Sequence, residues 1–249
     1  MKPLIYVCLP ILVIATTNIA CKKDSTSTTT PVVAATVPDV FKKFSTTVLT
    51  SSDGNFITLK SNGLPDHKSP YFATSDSRYE AYNGSNAAYS KNPNSIATQS
   101  LTFKIPANPA VATTHGATPL GPIGVSINGV PLFNQYAGPA TPLTNEINSF
   151  DQYNGHPQMS GQYHYHVEPL YITATKGKSA LIGFLLDGFP VYGPLENGAT
   201  LTSASLDTYH GHMGVTADYP GGIYHYHTTA DAPYINGSGF YGTPGTVTQ

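Results

Sequence analysis

The chain has 249 residues, only 10% of them charged, and a formal net charge of -2. Its 12 Lys and Arg residues are scattered rather than gathered on a stripe, which excludes the basic footprint a nucleic-acid partner requires. The length fits one domain of ordinary to large size, or two tightly fused halves. With Gly 23 and Pro 21 interrupting nearly every apolar run and no stretch keeping a 3.6-residue period, short strands joined by turns are expected.

Residues 1–21 read as an export segment. Met1 and Lys2 supply a positive start, and residues 4–15 an apolar run of signal-peptide length, too short to span a bilayer. The segment ends in Asn18-Ile19-Ala20-Cys21, which resembles the lipobox of bacterial lipoproteins, although Asn18 stands where that pattern usually has an aliphatic residue. The resemblance implies acylation of Cys21, a membrane anchor, and a location on the periplasmic or cell-surface face of an outer membrane. Residues 22–40 follow as a tether, opening with Lys22-Lys23-Asp24 and a run of only Ser and Thr at 25–30, a composition that cannot bury a core. Because Cys8 leaves with the signal and Cys21 carries lipid, residues 41–249 keep no thiol. That excludes a disulfide, a blue-copper thiolate and an iron–sulfur ligand.

Self-comparison of residues 41–249 finds a duplication. Ile123-Gly124-Val125-Ser126-Ile127-Asn128-Gly129-Val130-Pro131-Leu132-Phe133 aligns with Ile182-Gly183-Phe184-Leu185-Leu186-Asp187-Gly188-Phe189-Pro190-Val191-Tyr192, an offset of 59 positions. Asn-Gly and Asp-Gly between apolar runs predict two hairpins with two-residue type I′ turns, and this turn chemistry accounts for Asn128 and Asp187 without a catalytic role. Asp151-Gln152-Tyr153-Asn154-Gly155-His156 then matches Asp207-Thr208-Tyr209-His210-Gly211-His212, and Tyr-His-Tyr-His occupies both 163–166 and 224–227. Three matches in one order define repeats at about 119–168 and 179–229. The expected fold is all-β: a sandwich-like domain of two related halves about a pseudo-two-fold axis.

In a strand, side chains alternate between faces with a rise of about 3.3 Å, so His164 and His166 share one face roughly 6.6 Å apart and Tyr163 and Tyr165 share the other. Two imidazoles at that spacing can lean onto one ion at about 2.0–2.1 Å, and His156 is the natural third ligand. His212, His225 and His227 form the matching set, with His210 in reserve. Neutral imidazoles suit copper or zinc, whereas calcium and magnesium prefer oxygen ligands. Glu168, Asp151 and Asp207 are close enough in sequence to orient the rings. Spacing leaves open whether the halves make two sites or one.

At these residues the chain resembles the YHYH family of bacterial exported proteins. The resemblance begins near Ser61-Asn62-Gly63-Leu64-Pro65-Asp66-His67, passes through Gly121-Pro122-Ile123-Gly124-Val125 and Asp187-Gly188-Phe189-Pro190-Val191-Tyr192-Gly193-Pro194, and reaches residues 224–233. It implies no particular reaction. In the family the second motif often lacks its last histidine; His227 completes it here. Asp66 and His67 are further candidates for the site. His115, in a loop without a repeat partner, is read as structural.

No phosphate-binding loop, dinucleotide fingerprint or paired-cysteine motif is present. The stretch at 124–129 has one residue too many for a nucleophile elbow, which excludes a serine hydrolase on that motif. The favoured function is an exported, lipid-anchored protein that binds copper or zinc for acquisition, storage or sensing. A metalloenzyme whose open coordination position activates water or dioxygen is the second reading. The third is an adhesion or glycan-binding module with structural histidines, in keeping with 17 Tyr and no Trp.

Overall fold

The computed structural model describes residues 35–249 together with Pro3. The expected export segment apart from Pro3, Cys21 as the expected lipidation position, and most of the expected tether lie outside the described residues. The folded part starts slightly ahead of residue 41: a 3-10 turn spans Asp39–Lys43, Phe41 is buried, and Val37 and Val40 already pack against the core.

In chain order the strands are β1 (Leu49–Ser52), β2 (Phe56–Ser61), β3 (Leu101–Pro106), β4 (Pro122–Ser126), β5 (Pro131–Phe133), β6 (Tyr136–Ala137), β7 (Thr141–Pro142), β8 (Gly155–Pro157), β9 (Tyr163–Tyr165), β10 (Leu181–Leu185), β11 (Pro190–Tyr192), β12 (Leu195–Glu196), β13 (Ala199–Thr200), β14 (Gly211–Gly214), β15 (Ile223–His227) and β16 (Thr246–Thr248). Among the described residues one α-helix, α1 (Leu170–Lys176), joins the halves. The protein is mainly β, as the Gly and Pro punctuation requires.

Besides two small two-stranded pairs, β6-β7 and β12-β13, two sheets enclose the main core. The smaller, ordered β1-β2-β3-β16, is antiparallel, and β3 alternates Leu101, Phe103 and Ile105 inward with Thr102 and Lys104 outward, the period of a sheet with one buried face. The larger has eight strands in the order β14-β15-β11-β10-β4-β5-β9-β8. Its central strands β4 and β10 are buried at every residue, and Ile123, Val125, Phe184 and Leu185 join Ile57, Leu59, Phe103 and Ile105 in the core.

The register of the large sheet mirrors the sequence repeat. At its centre Val125 faces Phe184, its own counterpart at the 59-residue offset, with Gly124 opposite Leu185 and Ser126 opposite Gly183. Ile127 N–H donates to Ile182 O and Leu186 N–H to Ile123 O, both at 2.8 Å, a reciprocal pair between equivalent residues. Side chains are forbidden at Gly124 and Gly183, where a Cβ would strike the facing backbone. Outward from the centre each half adds the same strands: β5 beside β9 and β11 beside β15, both parallel, then β8 and β14 as antiparallel edges.

The hairpin turns differ from the expected type I′. Only Gly129 and Gly188 have positive φ (88° and 84°), and Gly129 N–H returns to Ser126 O while Gly188 N–H returns to Leu185 O. Each loop therefore has three residues, with glycine in the left-handed position of a bulge. This leaves Asn128 and Asp187 free to fold their side chains inward. Asn128 Nδ2 donates to Asp66 Oδ1 (2.8 Å), and Asp187 accepts from Tyr226 OH (2.6 Å) and Gly242 N–H (2.9 Å).

Candidate metal centres

The alternation in Tyr-His-Tyr-His divides chemistry between the faces of β9 and β15. On the tyrosine face, Tyr163 OH donates to Asp151 Oδ2 (2.8 Å) and Tyr224 OH to Asp207 Oδ1 (2.9 Å). Each aspartate also caps its own turn, accepting from Tyr153 N–H and Gly155 N–H in the first half, and from Tyr209 N–H and Gly211 N–H in the second. Glycine before His156 and His212 makes room: a Cβ on Gly155 would enter the ring of Tyr163, and one on Gly211 that of Tyr224.

The histidine face gathers two clusters at opposite edges of the large sheet. In the N-terminal cluster His164 Nε2 lies 3.0 Å from both His156 Nε2 and His166 Nε2, and Glu146 Oε1 lies 3.2 Å from His156 Nε2. In the C-terminal cluster His212 Nε2 is 3.2 Å from His227 Nε2, and Glu196 stands among the three rings, 3.2 Å from His212 and His225 and 3.9 Å from His227. Each set of four offers donor atoms within 4.8 Å of one another and could hold a metal ion.

The other ring nitrogen decides the chemistry. His164 Nδ1 donates to Gln162 O (3.1 Å) and His166 Nδ1 to Asn134 O (2.6 Å), while His225 Nδ1 and His227 Nδ1 donate to the equivalent carbonyls of Ile223 (3.0 Å) and Gly193 (2.8 Å). A carbonyl oxygen only accepts, so the proton sits on Nδ1 and the neutral ring presents a bare Nε2 lone pair. His156 Nδ1 lies 2.7 Å from Ser149 Oγ, which also contacts Glu146 O, and 3.4 Å from the Asn92 amide nitrogen. The bare Nε2 atoms of His164 and His166 then face one another with no hydrogen between them.

Protons are a poor remedy here. Burial pushes His164 well below the usual imidazole value, His166 and His227 down to about 4, and His212 down as well. Each unsatisfied buried acceptor is unfavourable by about 1–3 kcal/mol. Nitrogens held tetrahedrally at about 2.0–2.1 Å from a common ion would be roughly 3.3 Å apart, close to the separations observed.

The remaining candidates take other places. Asp66 and His67 serve the tyrosine face, Asp66 through Asn128 and His67 through Tyr165, whose hydroxyl lies 3.0 Å from His67 Nε2 while Nδ1 is committed to Lys68 O. His210 has φ 74°, as its counterpart Asn154 has φ 67°, and its Nε2 bonds Thr229 Oγ1 at 2.9 Å, so it occupies a left-handed turn position away from the cluster. Glu168 pairs with Lys178 at 2.5 Å. Asp151 and Asp207 orient tyrosines rather than imidazoles. His115 Nδ1 donates to Phe240 O (2.9 Å), and its ring stacks on Tyr209.

The two acids in the clusters, Glu146 and Glu196, have no acidic repeat counterpart: at the hairpin offset they correspond to Ser205 and Ala137. Self-comparison therefore passes over them. The available signal was scarcity, since only 14 acids are spread over the chain and Glu196 sits beside the Asn197-Gly198 turn, downstream of the second hairpin.

A family model described as YHYH protein matches residues 102–201 and 195–239, more than half of the chain, with one Tyr-His-Tyr-His motif in each span. The chain belongs to the YHYH family. No curated protein and no solved structure matches it. Family membership accounts for the paired motifs and supplies no reaction for them.

Proposed function

We propose that this chain is an exported, lipid-anchored metal-binding protein that holds a transition-metal ion, zinc or copper, at each of two three-histidine, one-glutamate centres. The observation that carries the reading is the tautomer set: backbone carbonyls pin the proton on Nδ1 of His164, His166, His225 and His227, leaving bare Nε2 lone pairs, with those of His164 and His166 3.0 Å apart and that of His227 3.2 Å from His212 Nε2. Such an arrangement is repulsive without a cation. A divalent ion removes the repulsion, and structural zinc typically contributes about 10–16 kcal/mol, enough to outweigh several buried acceptors.

Export and anchoring rest on the sequence alone, through the apolar run at 4–15 and the lipobox-like residues before Cys21. Tag-free protein purified without chelators and analysed for metals should carry two ions per chain. His164→Ala and His225→Ala should each carry one. A chain with no zinc or copper, whose thermal stability ignores added metal, would leave the histidines a structural role.

A further inference from the structure

The two clusters open on different surroundings. At the N-terminal one, Phe133 lies nearly flat on His164, with ring centroids 3.9 Å apart and planes at 24°, and Phe150 packs edge-on to His156 at 4.8 Å. The space beside it is about 250 Å³. At the C-terminal cluster the residue equivalent to Phe133 is Tyr192, whose hydroxyl bonds Thr216 Oγ1 (2.9 Å) and Asp218 Oδ2 (3.0 Å). Tethered there, its ring meets His225 edge-on, with centroids 5.5 Å apart and planes at 83°. A cavity of about 560 Å³ then adjoins Glu196, His225 and His227.

We infer that this cavity is a binding site for a small organic molecule that gives an anionic oxygen donor to the C-terminal ion and lays an apolar body against the wall. The inference rests on the metal reading of the same residues. A divalent ion held by three neutral imidazoles and one carboxylate keeps one net positive charge, which favours an anionic donor over a neutral one. Ile127, Leu181 and Leu195 supply the apolar wall, and Lys176 adds a second cation. The volume falls within the ~300–1,000 Å³ of small-molecule sites, whereas the space at the N-terminal cluster falls below it.

The test uses full-length protein loaded with Co²⁺, whose visible spectrum reports each ion's coordination, titrated with benzohydroxamate. The expected result is a saturable spectral change from one of two bound ions, kept in His164→Ala and lost in His225→Ala. Ala180→Trp, which fills the cavity from a half-buried wall position, should weaken the response at least tenfold. Val215→Trp, at an exposed wall position, is the second variant should the first fail to fold, and should do the same. Two bound cobalt ions with no response, a response from the N-terminal ion, or one undiminished in whichever filling variant folds would overturn the inference and leave the metal reading standing. Absence of bound cobalt would overturn both.

Discussion

The N-terminal and C-terminal clusters are built by one motif on equivalent strands, with the same carbonyls fixing the same ring tautomers, yet they differ in access. His156, His164 and His166 are 2–3% exposed, whereas the side chain of His212, the counterpart of His156, is 31% exposed. The difference comes from residues around the motif: Phe133 becomes Tyr192, and Phe150 aligns with Leu206 at the second offset. Duplication preserved the three histidine donors, while exchanges in the wall separated a closed centre from an open one.

The largest effect should come from breaking the closed centre. In metal-replete protein, His164→Ala removes an ion and the ring beneath Phe133, and should lower unfolding free energy by about 3 kcal/mol or more. His212→Ala, at the open centre, should cost about 1 kcal/mol. Denaturant unfolding of the two variants compares them directly, and equal losses would erase the distinction.

Acid should treat the halves of the metal-free protein alike. Burial holds His166, His210 and His227 near pH 4 in the folded chain, against about 6.5 when unfolded. Between those values the unfolded chain binds more protons, so stability present above pH 6.5 is lost as pH falls toward 4, by about 1.4 kcal/mol per pH unit for each histidine. Asp187 opposes this below about pH 6, because burial raises its folded value to about 6 and the folded chain then holds the extra proton. Unfolding measured from pH 7 to 4.5 should give similar reductions in slope for His166→Asn and His227→Asn. Divergent slopes would mean that the halves differ in more than access.

The aspartates beneath the tyrosines extend the comparison. Asp151 is 2% exposed and also accepts from Ser69 Oγ, while Asp207 is exposed. Asp151→Ala should be destabilising by about 2–3 kcal/mol and Asp207→Ala by about 1 kcal/mol, measured by urea unfolding. The smallest stability effect belongs to Tyr192→Phe, which frees the ring from Thr216 and Asp218. It should change stability by less than about 1 kcal/mol while lowering benzohydroxamate affinity several-fold. Full retention of affinity would mean that something other than this hydroxyl keeps the cavity open.

Much of this plan was legible residue by residue. Strand alternation placed His164 with His166 and Tyr163 with Tyr165, and the repeat located the equivalent strands and their common edge histidines. The turn type was not legible, because Asn-Gly and Asp-Gly suit both two- and three-residue loops, and the choice depends on whether Asn128 and Asp187 have buried partners to reach. Asp66 and His67 carry no local signal of their face; they lie behind the tyrosines, where their loop packs beside α1.

The sequence by itself determined which side chains share a strand face and that the pattern occurs twice, because side-chain alternation is a local property of extended backbone. Only the tertiary structure decided that Glu146 and Glu196 join the rings, that carbonyls 134 and 193 set their tautomers, and that one centre lies open. Those relations join segments far apart in the chain, and burial, loop path and the tilt of a single aromatic ring settle them.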